Sequence, residues 1–245
     1  MSGHSKWNNI KRKKGKTDAQ RAKIFTKIGR EIQVAVRESG GDPLVNGKLR
    51  DLISKAKSNN VPNENIDRII KKAVGGDDKN DYTEITYEGY GPNGVAIIVE
   101  SLTDNKNRTA ADVRHYFDKY GGNLGTIGCV SFMFTQKGII VIDKQDISED
   151  KMMEDALMSG ASDMISEGDV YEIQTEPTDL REVRESLEKL GYTFLSAGVE
   201  QVPNTYTSIT DNESGVKMTK LLELLEDDDD IQEVWHNWEN EEDFA

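Results

Sequence analysis

The 245-residue sequence has one cysteine, five prolines and no apolar run long enough to cross a bilayer. The single cysteine, Cys129, excludes an internal disulfide framework and a zinc site built from several cysteines. A bilayer-spanning helix needs about 20 consecutive apolar residues, so we expect no membrane association. The N-terminus is charged but no apolar stretch follows it, which argues against a secretory signal. These absences favour a cytoplasmic protein.

Signatures of catalysis and of cofactor binding are also missing. His4, His115 and His236 lie far apart and lack the His/Cys spacing of a metal site. The glycine-rich stretch 121–128 does not end in the Gly-Lys-Ser/Thr of a phosphate-binding loop, and no nucleophile elbow is present. The acidic run Asp227–Asp230 lacks the spacing of a calcium loop, so we interpret it as a solvated loop. We therefore predict a protein that is not an enzyme and that needs neither a metal nor a cofactor.

Charge is distributed very unevenly along the chain. The net charge is −14, yet residues 1–30 hold ten Lys and Arg against one acid, and residues 81–245 hold 12 bases against 36 acids. Such asymmetry indicates a polyanion-binding end attached to an acidic remainder. We predict nucleic acid as the partner, with DNA and ribosomal RNA as open alternatives, and we favour a monomer.

The predicted nucleic-acid-binding site is a basic arm and the first turns of the helix after it. Lys and Arg neutralise phosphates and release condensed counterions, and a tryptophan among them can stack on an unpaired base. The alternative is a solvated charged tail with an incidental tryptophan. The residues of the predicted site are Lys6, Trp7, Lys11, Arg12, Lys13, Lys14, Lys16, Arg21, Lys23, Lys27 and Arg30.

Two further cationic groups are weaker candidates. Lys106 and Arg108 precede a helix predicted to be capped near Thr109, where free N–H groups favour anions, although a simple capped loop explains the same residues. The second and third predicted helices permit a helix-turn-helix interpretation. Their basic residues, however, are equally consistent with ordinary surface charge; these are Lys48, Arg50, Lys55 and Lys57.

Hydrophobic periodicity predicts an α+β multidomain protein. Three amphipathic helices form an N-terminal all-α domain, and two small α/β sandwich-type domains follow, the third inserted in the second. The predicted boundaries are 1–76, then 77–136 together with 204–245, and 137–203 for the insertion. Within this scheme Val130–Phe134 is expected to be a strand, and Thr17 is expected to cap the first helix.

Six short motifs occur in a fixed order along the chain and resemble the YebC/PmpR family of regulatory proteins. The resemblance runs from end to end and includes the acidic C-terminus. The motifs are Gly3-His4-Ser5-Lys6-Trp7, Lys23-Ile24-Phe25-Thr26-Lys27, Ser58-Asn59-Asn60, Tyr87-Glu88-Gly89-Tyr90-Gly91-Pro92, Asn105-Lys106-Asn107-Arg108-Thr109 and Gly121-Gly122-Asn123-Leu124-Gly125-Thr126.

The resemblance implies a helical N-terminal domain, two α/β domains, and a DNA-binding transcriptional regulator of the cytoplasm. It also implies a rival function, because mitochondrial relatives act as translational activators and bacterial members have been linked to the ribosome. Composition and spacing distinguish neither role, so a ribosome-associated factor that binds RNA stands as the alternative.

Overall fold

The computed structural model describes residues 18–76, 81–145 and 147–244. Its helices are α1 (Asp18–Ser39), α2 (Gly47–Ser58), α3 (Asn63–Val74), α4 (Lys106–Lys119), α5 (Glu149–Met158), α6 (Leu180–Lys189) and α7 (Asn212–Asp227). Its strands are β1 (Thr83–Tyr90), β2 (Ala96–Thr103), β3 (Asn123–Leu124), β4 (Phe134–Asp143), β5 (Asp163–Glu167), β6 (Val170–Thr175), β7 (Ser196–Pro203) and β8 (Ile231–His236). The described residues form two compact units: one from those between 18 and 132 together with 207–244, the other from those between 133 and 206.

The first unit begins with the three predicted helices. Apolar residues at helical spacing, among them Ile32, Leu49 and Ile66, form a common core between α1, α2 and α3. The Asn46 amide, only 3% exposed, caps α2 by accepting from the Leu49 N–H at 3.0 Å and donates to the Ala35 carbonyl at 2.8 Å. One buried side chain thus fixes the turn between α1 and α2.

The same unit contains a four-stranded antiparallel sheet in the order β3-β1-β2-β8. Strand β2 is apolar and almost wholly buried because it lies between two partners. Helices α4 and α7 cover the sheet through Phe117, Leu221 and Leu225, which pack with the fully buried Trp238. Strand β8 comes from the C-terminal segment. The chain therefore forms β1–β3 of this sheet, continues through the strands of the other sheet, and returns to add β8.

The second unit is a sheet in the order β5-β6-β4-β7, also antiparallel throughout. Successive side chains of β4 point to opposite faces. Ile140 and Ile142 pack in the core that includes Met152 of α5 and Leu187 of α6, whereas the alternate residue Val141 belongs to a smaller cluster.

The structure confirms the α+β class, with an N-terminal helical region followed by two sheet-containing parts. The predicted strand at Val130–Phe134 is wrong, because a 3₁₀ turn occupies Ser131–Met133 and Phe134 begins β4. The backbone N–H groups of Val130 and Ser131 bind a carboxylate instead of a neighbouring strand. Strand β5 was missed; its short, polar sequence carries little apolar alternation. The boundaries of the three predicted domains remain a prediction.

Candidate nucleic-acid interface

Only part of the predicted site lies within the residues that the structure describes. Lys6, Trp7, Lys11, Arg12, Lys13, Lys14 and Lys16, like the capping residue Thr17, lie outside the described residues. Arg21, Lys23, Lys27 and Arg30 lie on α1. Arg21 is exposed near the start of that helix.

The last three of these cations form one row on α1, since residues three and four apart share a helix face. The row contacts the C-terminal end of α7. Lys23 Nζ donates to the Asp227 carbonyl oxygen at 3.0 Å and forms an ion pair with the Asp227 carboxylate. Lys27 Nζ donates to the Glu226 carbonyl oxygen at 2.7 Å. Carbonyls in the last turn of a helix lack helical partners and carry partial negative charge, so these lysines satisfy them.

Arg30 completes the row at a buried carboxylate. Its Nη1 donates to the Asp229 carbonyl oxygen at 2.7 Å and to Asp230 Oδ1 at 2.9 Å. The Asp230 side chain is 7% exposed and also accepts from Arg108 Nη2 at 2.7 Å and from Thr109 Oγ1 at 2.8 Å. Burial alone would raise the pKa of Asp230, but the hydrogen bonds from these three residues outweigh it and lower that pKa.

The interpretation of Asp227–Asp230 as a solvated acidic loop is therefore wrong for Asp230, which is buried, whereas the side chains of Asp227 and Asp229 are exposed. This segment, together with the end of α7, is the intramolecular partner of the α1 row. In this conformation, three of the cations predicted to bind phosphate are already engaged with oxygen atoms of the protein itself.

In the secondary candidate site, Arg108 is engaged by carboxylates of the protein, as the α1 cations are, whereas Lys106 is exposed. Arg108 Nη2 binds Asp104 Oδ1 at 2.9 Å as well as Asp230. Asn105 caps α4 by accepting from the Arg108 N–H at 3.1 Å, so the helix begins earlier than the predicted cap at Thr109. The capped-loop alternative accounts for Arg108, whose guanidinium is engaged by two carboxylates.

The helix-turn-helix hypothesis loses two of its cations to internal ion pairs. Lys48 Nζ lies 3.3 Å from both Glu38 and Glu84, and Lys55 Nζ lies 3.1 Å from Glu31 and 3.4 Å from Glu233. Burial lowers the pKa of each lysine, but its two carboxylate neighbours outweigh burial and raise it. Arg50 is half-buried and Lys57 is exposed.

A cleft of about 380 Å³ lies between α1 and α3, next to Tyr82. The Arg30 guanidinium carbon lies 5.5 Å from the centre of the Tyr82 ring, within cation–π range. Arg68 is exposed on α3 and donates through Nη2 to Asn65 Oδ1 at 3.1 Å. The lining residues are Phe25, Thr26, Gly29, Arg30, Gln33, Val61, Asn65, Arg68, Ile69 and Tyr82. Composition and periodicity did not indicate this cleft, because its walls come from two helices and a segment beyond them.

The loop after β3 binds an anion that the protein supplies. The Glu88 carboxylate, on a residue 3% exposed, accepts from the backbone N–H groups of Gly128 at 2.8 Å, Val130 at 2.8 Å and Ser131 at 2.9 Å. Burial would raise the pKa of Glu88, but these hydrogen bonds outweigh it and lower that pKa. The end of the glycine-rich segment is thus organised around Glu88. The role of Glu88 is not visible in the sequence because some forty residues separate it from its donors.

Within residues 18–76, 81–145 and 147–244, no group of three or more His, Cys, Asp or Glu residues is arranged to hold a metal ion. No helix in that part of the chain is long and apolar enough to cross a membrane.

Fold and site together define a multidomain α+β protein with a basic helical N-terminal region whose cations meet acidic groups of the following domain. Two family models match the chain: "TACO1/YebC protein N-terminal domain" over residues 5–76 and "TACO1/YebC second and third domain" over residues 82–238. The chain belongs to the TACO1/YebC family, which confirms the resemblance seen in the sequence motifs.

Relatives and a solved structure support this assignment over nearly the full length. A "probable transcriptional regulatory protein" of Ruminiclostridium cellulolyticum is 59% identical over 224 residues, covering 91% of this chain and 90% of the relative. A protein of the same name from Acetivibrio thermocellus is also 59% identical, covering 91% and 93%. The crystal structure of a conserved hypothetical protein from Aquifex aeolicus is 46% identical with a TM-score of 0.83, covering 91% of this chain and 92% of that one.

Proposed function

We propose that this protein is a cytoplasmic regulator of transcription that binds nucleic acid through its basic N-terminal end and has no catalytic role. The concentration of ten basic residues in the first 30 positions of a chain with net charge −14 carries the proposal. The names of the relatives support transcription as the process. The described geometry offers no separate support for the ribosome-associated alternative.

The contacts of α1 determine which cations are proposed to meet phosphate. Arg30 has a 19% exposed side chain and is bound to a carboxylate that is itself held by Arg108, so we do not assign it to phosphate. Lys23 and Asp227 are 38% and 58% exposed, and exposed ion pairs contribute only about 0–1 kcal/mol. A phosphate can therefore exchange for Asp227 at Lys23 at small cost. The proposed surface is the arm Lys6–Lys16, with Arg21 and Lys23 at its helical end.

The experiment is a charge reversal of the arm at Lys11, Arg12, Lys13 and Lys14, each to Glu. Binding is measured by fluorescence anisotropy against labelled duplex DNA and against RNA over a range of salt concentrations. For wild-type protein and duplex DNA, a plot of the logarithm of the association constant against the logarithm of salt concentration should have a slope of about −0.9 per phosphate contacted. The variant should lose most of the affinity.

A net-charge-matched control separates local contact from overall repulsion. It reverses four exposed cations outside the proposed surface: Arg114, Lys119, Lys189 and Lys220. The control changes the net charge equally, so equal loss of binding in both variants would contradict the proposed surface. Strong discrimination between DNA sequences at fixed salt would support operator recognition, whereas equal affinity for all duplexes would leave only a charge-driven contact.

A further inference from the structure

We propose that the cleft between α1 and α3 is a binding site for an unpaired nucleobase. The inference rests on the proposed function and deepens it, since it assigns single-stranded nucleic acid as a ligand of the helical domain. It concerns residues other than the basic arm, so it can fail while the proposed function holds.

The chemistry of the cleft walls suits a base. Two aromatic rings, Phe25 and Tyr82, are half-buried in the lining, and two guanidinium groups, Arg30 and Arg68, accompany them. Bases stack on aromatic side chains and on guanidinium planes. The cation–π contact of Arg30 with Tyr82 holds that arginine beside the ring.

Polar groups of the right kind line the same space. The side-chain amide of Gln33 offers a donor and an acceptor, the combination that reads the hydrogen-bonding edge of an exposed base, and Asn65 adds an amide donor while its Oδ1 accepts from Arg68. The described lining residues include no Asp or Glu, so no acidic side chain of that set repels the phosphate attached to the base. An acidic peptide would bind the guanidinium groups, but it would not account for the two aromatic rings and the two side-chain amides in the lining.

A glycine within a helix lines the cleft and allows the two helices to pack closely. Gly29 is buried in α1, where a glycine costs roughly 1 kcal/mol relative to alanine. A Cβ at this position would lie 3.2 Å from Ile69 Cδ1, which is tighter than ordinary contact. The absent side chain lets Ile69 of α3 pack closely against α1 beside the cleft. The volume of about 380 Å³ falls within the usual size range of ligand pockets, roughly 300–1,000 Å³.

The cleft lies near the end of α1 that the basic arm precedes in the sequence. Helix α1 begins at Asp18, and Phe25 follows seven residues later, so the cleft starts about 10 Å along the helix from the point where the arm joins it. A strand whose phosphates are held by the arm can therefore place a nearby base in the cleft.

The test compares single-stranded and duplex binding in matched variants. Tyr82→Leu removes the aromatic ring but keeps apolar bulk, and Arg68→Ala removes an exposed cation of the cleft. Lys57→Ala removes an exposed cation of α2 that does not line the cleft, so it controls for the loss of one charge. The probes are labelled oligoadenylates of about 20 nucleotides as DNA and as RNA, and the corresponding DNA duplex. Dissociation constants come from anisotropy, and circular dichroism verifies the fold.

We expect Tyr82→Leu to weaken single-strand binding roughly 5- to 150-fold, the equivalent of one lost stacking contact, with duplex binding unchanged. Arg68→Ala should also weaken single-strand binding more than Lys57→Ala does. If both cleft variants bind single strands as Lys57→Ala does, the cleft holds no base and the inference fails alone. If the wild-type protein binds no nucleic acid, the inference and the proposed function both fail. A loss confined to DNA or to RNA identifies which strand the cleft accepts.

Discussion

The carboxylate of Asp230 joins the helical domain to the first sheet, and its removal should destabilise their association. Asp230 lies three residues after the end of α7, and it binds Arg30 of α1 and Arg108 of α4. Thr103 Oγ1 and Thr109 Oγ1, both on fully buried residues, also donate to it at 3.1 and 2.8 Å. The proposed perturbation is Asp230→Ala.

The expected cost follows from burial and from the exposure of the partners. Removing one partner of a buried ion pair costs about 3–5 kcal/mol because the other charge is left uncompensated. The side chains of Arg30 and Arg108 are 19% and 47% exposed, so water can replace part of what they lose. We therefore expect a loss near the lower end, about 3 kcal/mol. With a urea m value of about 2–3 kcal/mol/M, the midpoint should fall by roughly 1–1.5 M.

The assay is urea unfolding followed by tryptophan fluorescence. The chain has three tryptophans, so a Trp7→Phe background leaves Trp235 and Trp238, both buried in the first unit, as reporters. The matched control is Asp229→Ala, because Asp229 is exposed and contributes its backbone carbonyl, which the substitution retains, to the Arg30 contact. It should change stability by less than about 0.5 kcal/mol. Equal midpoints for the two variants would refute the reasoning.

Three further predictions follow from other contacts. The pKa of Glu88 is lowered, so its carboxylate stabilises the fold at pH values above the ordinary glutamate pKa of 4.5, and this contribution is lost as the pH falls through the lowered pKa. The difference in urea midpoint between wild type and Glu88→Gln should therefore be large at pH 7 and shrink in acid. A difference that stays constant with pH would contradict this prediction. Gly89→Ala should lower the free energy of unfolding, measured by heat or urea, by about 1–3 kcal/mol, because the new Cβ would lie 2.7 Å from the Asn123 carbonyl oxygen. Gly198→Ala is the control and should lower it far less, because no atom lies nearer than 3.5 Å to the new Cβ. Lys23→Ala should change the free energy of unfolding by at most about 1 kcal/mol, because the ion pair of Lys23 with Asp227 is exposed. A larger loss would mean that this ion pair stabilises the fold, and Lys23 would then no longer belong to the proposed phosphate surface.

The class of fold was predictable because each helix and most strands carry their own periodic signal. The stripe through Ile28, Ile32 and Ala35 of α1 predicts a buried helix face, and the structure places all three residues in the core. The strand expected at Val130–Phe134 failed because its backbone N–H groups pair with Glu88. Apolar composition does not reveal such a carboxylate partner when it is distant in sequence.

The candidate site was only partly predictable for the same reason. The charge pattern identifies Lys23, Lys27 and Arg30 as cations on one helix face, but it does not reveal that the end of α7 lies against them. Contacts about 200 residues apart depend on the return of the C-terminal segment to the first sheet. The cleft beside Tyr82 likewise exists only once α1 and α3 have packed.

The central claim is that the basic N-terminal end of this molecule, and not its acidic remainder, holds nucleic acid. Ultraviolet crosslinking of the intact protein to bound DNA and RNA, with the modified peptides mapped by mass spectrometry, tests it most directly. We expect crosslinks in residues 1–30, with Tyr82 added when the ligand is single-stranded. Crosslinks confined to residues 83–245, with the N-terminal peptides unmodified, would contradict it.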